Sequence, residues 1–228
     1  MGVDVAAEEG GFAVQLDGRT LLTPGGRRLR LLTNALARLV AAEWDRQGQT
    51  VVRAEMPATR LANSVLDASP AARSETAKRI AEYAAHDLVC YFADGPTRLV
   101  QRQETAWTPL LAWADADLRL DFRRASSVAH VDQPAETLAA VEALAETLDD
   151  FTLAGLDAAT PLFGSAVLAL ALLKGRLTGA EAFAASQIDE TFQAETWGED
   201  AEAARRAEAM AVEATMLEAW FASLRRAP

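Results

Sequence analysis

The hydrophobic pattern of this 228-residue chain changes its period once, close to Thr33. Before that point, FAVQL (12–16) alternates apolar and polar residues, which is the pattern of a half-buried strand. After it, apolar residues recur every three or four positions almost to the C-terminus, as in amphipathic helices. A single change of period predicts an α+β fold, with a small β-rich N-terminal part followed by a mainly α-helical bundle.

The N-terminal part contains two strong turn signals. The Asp-Gly pair at 17–18 is typical of a type I′ hairpin, and Pro-Gly-Gly at 24–26 indicates a second turn. The segments around these turns, 12–16, 19–23 and 27–33, are therefore predicted to form a three-stranded antiparallel meander.

The first helix is predicted to begin at Thr33 or Asn34, which are both good N-caps. It has an apolar stripe that can cover the meander. That stripe consists of Leu36, Leu39, Val40 and Trp44. Further helices are predicted near 57–67, 69–91 (with Ser69 as cap and Pro70 at its first position), 107–118, 134–149, 161–174, 179–197 and 199–226.

Three further expectations concern organisation. Thr178 and Glu181 have the spacing of a capping box, which places a helix start at 178. We expect a β-rich domain at 1–56 and an α-helical domain at 57–228. The segment 126–131 is extended in character and could add a strand to the N-terminal sheet.

The charge balance excludes several classes of partner. The chain has 22 Lys and Arg against 33 Asp and Glu, a net charge of −11, and residues 121–228 carry most of the excess. Such a charge repels phosphate backbones and anionic membrane surfaces, so no nucleic-acid partner is expected. The apolar run at 161–174 contains Pro161 and is shorter than the roughly 20 residues that span a membrane, so no membrane insertion is expected.

The same composition leaves little from which to build a cofactor or metal site. Cys90 is the only cysteine and the chain has two histidines, so neither a disulfide nor a zinc site is expected, and no cofactor is predicted. The first residues lack a signal or transit pattern, which favours a cytoplasmic location. TPGGRR (23–28) lies between two predicted strands and is read as a hairpin turn, not a phosphate loop.

Nucleophilic catalysis has one candidate pair. Cys90 follows His86 by four residues, so on one helix the two side chains could touch. Cys90 lies in an apolar stretch, however, where cysteine usually packs as a small hydrophobic residue, and packing is the favoured interpretation. His130 is interpreted as a partly exposed strand residue.

The acidic block DETFQAETWGEDAEAARR (189–206) is the remaining candidate site. Gly198 is expected to end one helix, which places Glu199, Asp200 and Glu202 in the first turn of the next. Negative charge is favourable there because it offsets the helix dipole, and Glu202 can also pair with Arg205 or Arg206. These three acids therefore need no function.

Asp189 and Glu190 lie within the predicted helix, with no Lys or Arg within four residues, and Glu195 adds further negative charge. Acids beside Phe192 and Trp197 are similar to the polar rim and aromatic anchor of a protein interface. On this pattern alone, a partner-binding surface and a plain solvated helix face both remain open.

Several stretches together resemble one known family, the ATP-twelve chaperones, which assemble the catalytic sector of F-type ATP synthase by holding its free alpha subunit. The resemblance covers residues 12–206 and is carried, in this order, by GFAVQLDGRTLLTPGGRRLRL, ALARLVAAEWDRQG, MPATRLANSVLD, YAAHDLVCYF, RQETAWTPLLAW, FGSAVLALAL and DETFQAETWGEDAEAARR. It implies a β-rich N-terminal part, a helical C-terminal part and no enzymatic turnover. It also implies release of the chaperone as alpha and beta subunits assemble, and a key carboxylate at Asp189 or Glu190. The absence of an organelle presequence favours a bacterial member.

The predicted site is therefore a binding surface for the alpha subunit of the ATP synthase catalytic sector, on a chain expected to be a monomer. No catalytic, cofactor-binding or metal-binding residue is predicted. The alternative is a small hydrolase that uses the acidic cluster at 189–202, which would require a concave pocket where the carboxylates converge. The predicted partner-binding residues are Asp189, Glu190, Phe192, Glu195, Trp197, Glu199 and Asp200.

Overall fold

The computed structural model describes residues 2–69, 71–126, 131–198 and 200–225. In these ranges a small antiparallel sheet at the N-terminus is followed by a helical bundle, which confirms the predicted α+β class. The strands are β1 Val3–Glu8, β2 Gly11–Leu16, β3 Arg19–Thr20, β4 Arg30–Leu31, β5 Tyr91–Phe92 and β6 Ala125–Ser126. The helices are α1 Asn34–Asp45, α2 Pro57–Asp67, α3 Ala72–Ala84, α4 Thr97–Leu118, α5 Ala135–Thr147, α6 Asp150–Phe163, α7 Ala166–Leu173, α8 Gly179–Ser186, α9 Ile188–Trp197 and α10 Ala201–Leu224. Short 3₁₀ turns lie at Arg53–Glu55 and Leu88–Cys90.

The N-terminal sheet is built around β2. β1 pairs with one side of β2, while β3 and β4 pair with the other, all antiparallel. Asp17 and Gly18 have φ values of 47° and 76°, as both central residues of a type I′ turn require, so the predicted hairpin is confirmed. The predicted strands are present as β2, β3 and β4, but their order is not that of a meander, because β3 and β4 both pair with β2, while segments 19–23 and 27–33 are joined by an isolated bridge between Leu22 and Arg28. The predicted strands do not include β1, which pairs with the other side of β2 and makes the sheet four-stranded.

The helix α1 covers one face of this sheet, as its apolar stripe predicted. Leu36 and Val40 are fully buried there, and the Thr33 side chain caps the helix by accepting a hydrogen bond from Leu36 N (3.0 Å). The Thr33 hydroxyl also donates to Ser223 O (2.7 Å), so the first helix is joined to the end of α10.

The helix predicted for 69–91 is shorter in the structure, where α3 ends at Ala84. The reason is the fully buried Asp87, whose carboxylate accepts hydrogen bonds from Val89 N (3.2 Å) and from Val167 N (3.0 Å) at the start of α7. The chain therefore turns at Asp87 to cap another helix. The predicted helix-start residue Pro70 lies outside the described residues.

The apolar segment predicted as one helix at 161–174 is divided between two helices. Gly164, at φ 61°, ends α6, and the Ser165 side chain then caps α7 by accepting from Leu168 N (3.0 Å). Most of α6 was missed because buried residues occur around much of its circumference, so it has no clear apolar stripe.

The extended segment at 126–131 does not extend the N-terminal sheet where it is described. Ser126 pairs with Phe92 in a separate two-stranded parallel sheet, since α4 returns the chain beside β5. Residues 127–130, including His130, lie outside the described residues. The proposed domain boundary at residue 56 stays a prediction.

The centre of the bundle is α7, in which residues 166–172 are all buried, surrounded by α3, α4, α6, α8 and α10. Two fully buried tryptophans join the surrounding helices. Trp107 Nε1 donates to Ala185 O (2.9 Å), and Trp220 Nε1 donates to Phe151 O (3.0 Å). No helix in the described ranges is both long and apolar enough to cross a membrane.

Candidate functional site

The predicted site residues lie on α9 and at the start of α10. The capping box at Thr178 and Glu181 is present and begins α8, as predicted. The single helix predicted for 179–197 is interrupted, however, because Gln187 leaves the helical conformation and separates α8 from α9. Gly198, at φ 97°, ends α9.

The helix α9 has no buried residue and lies against the N-terminal half of α4. Ile188 at its start packs against the core, and polar contacts to α4 add to the attachment of the rest of the helix. The residues that supply these contacts are Arg98, Arg102 and Gln103, all from α4.

Asp189 is half-buried and fixed by Gln103. The Gln103 side-chain amide is fully buried, its Oε1 accepts from Ala93 N (2.8 Å), and its Nε2 donates to Asp189 Oδ1 (2.6 Å). With both ends of the amide engaged, Gln103 sets the position of the Asp189 carboxylate. The Asp189 carboxylate therefore has a defined orientation and no basic partner among the described residues.

Glu195 does not add free negative charge, contrary to the sequence-based expectation. Arg102 donates to both of its carboxylate oxygens (3.0 and 2.8 Å), and Arg98 lies 3.4 Å from one of them. The hydrogen bonds from Arg102 lower the pKa of Glu195 below its ordinary value. The guanidinium of Arg102 also lies 5.6 Å from the ring centre of Phe192. Glu195 and Phe192 thus add to the Asp189 contact in holding α9 against α4.

Glu190 and Trp197 lie on the opposite side of α9. They are seven residues apart, which is close to two helical turns, so both side chains project in nearly the same direction. Glu190 is exposed and has no hydrogen bond or ion pair with another described residue. Trp197 is 79% exposed and is not a core residue. We call these two side chains the outer face of α9.

The acids after Gly198 have a local structural role where they are described. Asp200 caps α10 by accepting from Glu202 N (2.7 Å) and Ala203 N (3.0 Å), and these hydrogen bonds lower its pKa. Glu202 lies 3.9 Å from Arg206, so the predicted ion pair is present. Glu199 lies outside the described residues.

The geometry does not favour the hydrolase alternative. Asp189 and Glu195 face α4, Glu190 faces outward, and Asp200 binds the backbone of its own helix, so these carboxylates do not converge. Over the described residues, no group of three or more His, Cys, Asp and Glu side chains is arranged to hold a metal ion.

The histidine–cysteine pair is also separated. His86 follows the end of α3, while Cys90 ends a 3₁₀ turn, so the two are not on one helix. Cys90 is fully buried, and burial raises the pKa of its thiol, which keeps it in the unreactive protonated form.

Comparison with known proteins agrees with this picture. The family model described as ATP12 chaperone protein matches residues 2–115. The chain belongs to the ATP12 chaperone family. The resemblance inferred from the sequence motifs is therefore confirmed, and the family is one of chaperones, not of enzymes.

Solved structures of ATP12 relatives share the whole fold. The crystal structure of Atp12 from Paracoccus denitrificans is 38% identical, with a TM-score of 0.92 over 99% of this chain and 97% of that one. A putative chaperone from Agrobacterium tumefaciens is 39% identical, with a TM-score of 0.91 over 98% of this chain and 84% of that one. The mitochondrial protein atp12 of Schizosaccharomyces pombe is 26% identical over 211 residues, which are 84% of this chain and 70% of that protein.

The residues that hold α9 were not identified from the sequence. RQETAW, which begins at Arg102, lies in one of the stretches that carry the ATP12 resemblance, yet nothing in it shows that Arg102 and Gln103 face α9. The contact between Arg102 and Glu195 spans 93 residues of chain. Only the packing of α4 against α9 brings these side chains together.

Proposed function

We propose that this member of the ATP12 family, acting in ATP synthase assembly, binds the unassembled alpha subunit of the catalytic sector. It shields the subunit-interface surface of alpha from aggregation and hands alpha over to the beta subunit. The observation that carries the proposal is the outer face of α9, where an exposed indole and a carboxylate with no partner among the described residues project together from a helix with no buried residue.

The indole of Trp197 supports a binding role. A side chain of this size that is four-fifths exposed contributes little to folding, while tryptophan is the residue most often found as an energetic anchor in protein interfaces. An unassembled subunit exposes apolar surface that its neighbours later cover, and such surface offers a pocket for an aromatic anchor.

Glu190 supports orientation of the complex. Its carboxylate has no partner among the described residues, so it is available to a basic group of the client. The net charge of −11 extends this attraction to longer range, because opposite charges raise the rate of encounter and disfavour wrong partners. Asp189, in its orientation set by Gln103, adds a second charge beside it.

The predicted partner-binding residues thus divide by role. Trp197 and Glu190 contact the client, and Asp189 contributes charge at the edge of the contact. Phe192 and Glu195 keep α9 in position through Arg102. Asp200 begins α10, and it supports the surface without contacting the client.

Handover requires no fuel. While alpha is free, binding to the chaperone lowers the concentration of the aggregation-prone species by mass action. When beta binds an overlapping surface of alpha more tightly, the same mass action releases the chaperone.

Co-expression tests the proposal. The alpha subunit is produced with wild-type chain, with Glu190→Lys, or with Glu146→Lys, and soluble alpha and its co-purification with the chain are measured. Glu146 is an exposed acid on α5, so its variant makes the same charge change away from α9. We expect Glu190→Lys to lose alpha and Glu146→Lys to retain it. Equal retention of alpha by both variants, with unchanged circular dichroism, would contradict a binding role for the outer face of α9.

A second pair of variants separates the charge of Asp189 from its hydrogen bond. Asp189→Asn keeps an oxygen that can accept from Gln103 Nε2, whereas Asp189→Ala leaves that buried donor without an acceptor. If the charge matters, both variants weaken alpha binding and only Asp189→Ala lowers the melting temperature. If Asp189→Asn binds alpha as well as wild type does, the charge of Asp189 has no part in recognition.

A further inference from the structure

The strand β1 forms one edge of the N-terminal sheet, and within the described residues β2 is the one strand that pairs with it. At the start of this ladder, Asp17 N donates to Gly2 O (2.8 Å). Hydrogen-bonded positions alternate along an antiparallel ladder. After Gly2, the residues of β1 that bond to β2 are therefore Asp4, Ala6 and Glu8. The N–H and C=O groups of Val3, Val5 and Ala7 therefore point away from β2.

These outward groups have no hydrogen-bond partner among the described residues. Val3, Val5 and Ala7 make no other hydrogen bond, ion pair or ring contact with a described residue. The side chains of Val3 and Val5 are half-buried against the core beneath α1. A continuous row of unpaired backbone donors and acceptors beside an ordered core is a template for an additional strand.

The two edges of the sheet differ in how they are protected. On the far side of β2, strands β3 and β4 have only two residues each and carry Arg19 and Arg30. On the near side, β1 has six residues paired in continuous register with β2, and VDVAAE contains no Lys, Arg or Pro. Short edge strands and basic side chains are common devices against unwanted pairing, and β1 is the longer edge, without a basic side chain.

The edge is also ordered before any partner arrives. Gly2 N donates to the Asp17 side chain (2.7 Å), which fixes the start of β1. At the other end, Glu8 accepts from Arg28 and Thr20 across the sheet. When a partner strand pairs with β1, the conformational entropy that is lost is therefore that of the partner strand alone.

We propose that β1 binds an extended polypeptide segment of another protein, which adds to the sheet as a fifth strand. This contact is separate from the outer face of α9 and does not depend on the identity of the client. Backbone pairing supplies the affinity, while alternate side chains of the added strand supply specificity.

The chemistry of β1 indicates what the added strand contains. Apolar side chains suit the side that continues the surface of Val3 and Val5, because that side faces the core. Lys or Arg suits the other side, where Asp4 is exposed and β1 has no basic residue.

A second copy of this chain is a poorer occupant. An antiparallel pair of β1 strands centred on Val5 would place the two Asp4 side chains on the same face, about 7–8 Å apart on the diagonal. It would also join two molecules that each carry a charge of −11.

A synthetic peptide tests the edge directly. The probe is a fluorescent peptide with Val at every second position and Lys between, and its control has Pro in place of the central Val. Binding to the full-length chain is followed by fluorescence anisotropy, and amide hydrogen exchange is followed by NMR. We expect the probe to bind, the control peptide to fail, and exchange at Val3, Val5 and Ala7 to slow in the complex.

A matched pair of variants locates the contact. Ala7 is exposed and its N–H points outward, so Ala7→Pro removes one edge donor while the ladder to β2 remains, and Ala7→Thr keeps that donor. Ala7→Pro should weaken probe binding about tenfold or more, and Ala7→Thr should not. The proposal is overturned by equal binding to both variants, by failure of the probe to bind wild type, or by unchanged amide exchange at β1. It is equally overturned by sedimentation of wild type as a dimer that Ala7→Pro dissociates, because the occupant is then a second copy.

Discussion

Replacing Trp197 by alanine separates a binding role from a folding role. Trp197 is the last residue of α9, it is 79% exposed, and its indole makes no hydrogen bond or ring contact with another described residue. The substitution removes surface that water already covers in the folded protein. The free energy of unfolding should therefore change by less than about 0.5 kcal/mol.

The expected effect on client binding is much larger. Complete burial of a tryptophan side chain removes about 150–250 Å² from water, of which roughly four-fifths is still exposed in the free protein. At about 25 cal/mol per Å², burying that remainder is worth about 3–5 kcal/mol as an upper bound. Anchors of this kind typically cost about 2–4 kcal/mol when truncated, which corresponds to a loss of affinity of roughly 30-fold to 1,000-fold.

The assay compares stability and binding in the same preparations. Urea denaturation gives the free energy of unfolding, and suppression of alpha-subunit aggregation, followed by light scattering against chaperone concentration, gives the relative affinity. Leu22→Ala is the matched control, because Leu22 is a large apolar side chain that is 60% exposed in the N-terminal part. We expect Leu22→Ala to behave as wild type in both assays.

Two results would refute this reasoning. An affinity of Trp197→Ala within about threefold of wild type would show that the indole is not an anchor of the interface. A fall in unfolding free energy that matches the loss of binding would show instead that Trp197 stabilises the fold.

Three further predictions concern stability. Glu43 is buried and accepts hydrogen bonds from Ala58 N, Thr59 N and the Thr59 hydroxyl at the start of α2. Glu43→Ala leaves these donors without an acceptor, so it should lower the free energy of unfolding, measured in urea, by about 3–5 kcal/mol. A loss below about 1 kcal/mol would contradict this. Burial raises the pKa of Asp87 from 3.8 to about 6. The folded state therefore binds more protons than the unfolded state between about pH 4 and pH 6. The free energy of unfolding should fall by up to about 3 kcal/mol as pH rises through that window. Asp87→Asn should flatten that slope in urea titrations at each pH, and a slope equal to that of wild type would assign it to other groups. Arg102→Ala should change the global unfolding free energy by less than about 1 kcal/mol while amide exchange in α9 becomes faster, and unchanged exchange would show that other contacts hold α9.

Elements specified by neighbouring residues were predictable. The type I′ turn at 17–18 depends on two residues that tolerate positive φ, and the capping box at Thr178 depends on a side chain three positions away. The helix at Pro57–Asp67 has the bounds that its apolar period indicated. In each case the stabilising contact lies within a few residues of chain, so the local pattern contains it.

Elements specified by distant partners were not predictable in the same way. β1 exists because β2 pairs with it, and α3 ends early because Asp87 caps α7, 80 residues further along the chain. The helix α6 is buried over much of its circumference, so it lacks the one-sided apolar stripe by which helices are recognised.

For the candidate site, the sequence by itself determined which groups are present: acids and aromatic residues on a helix with no basic residue nearby in the chain. The tertiary structure decided which of them are available to a partner. Glu195 is paired because α4 carries Arg98 and Arg102 to it, whereas Glu190 and Trp197 face away from α4. The physical reason is that an ion pair depends on distance in space, and packing places side chains 93 residues apart in direct contact while leaving near neighbours on opposite sides of one helix.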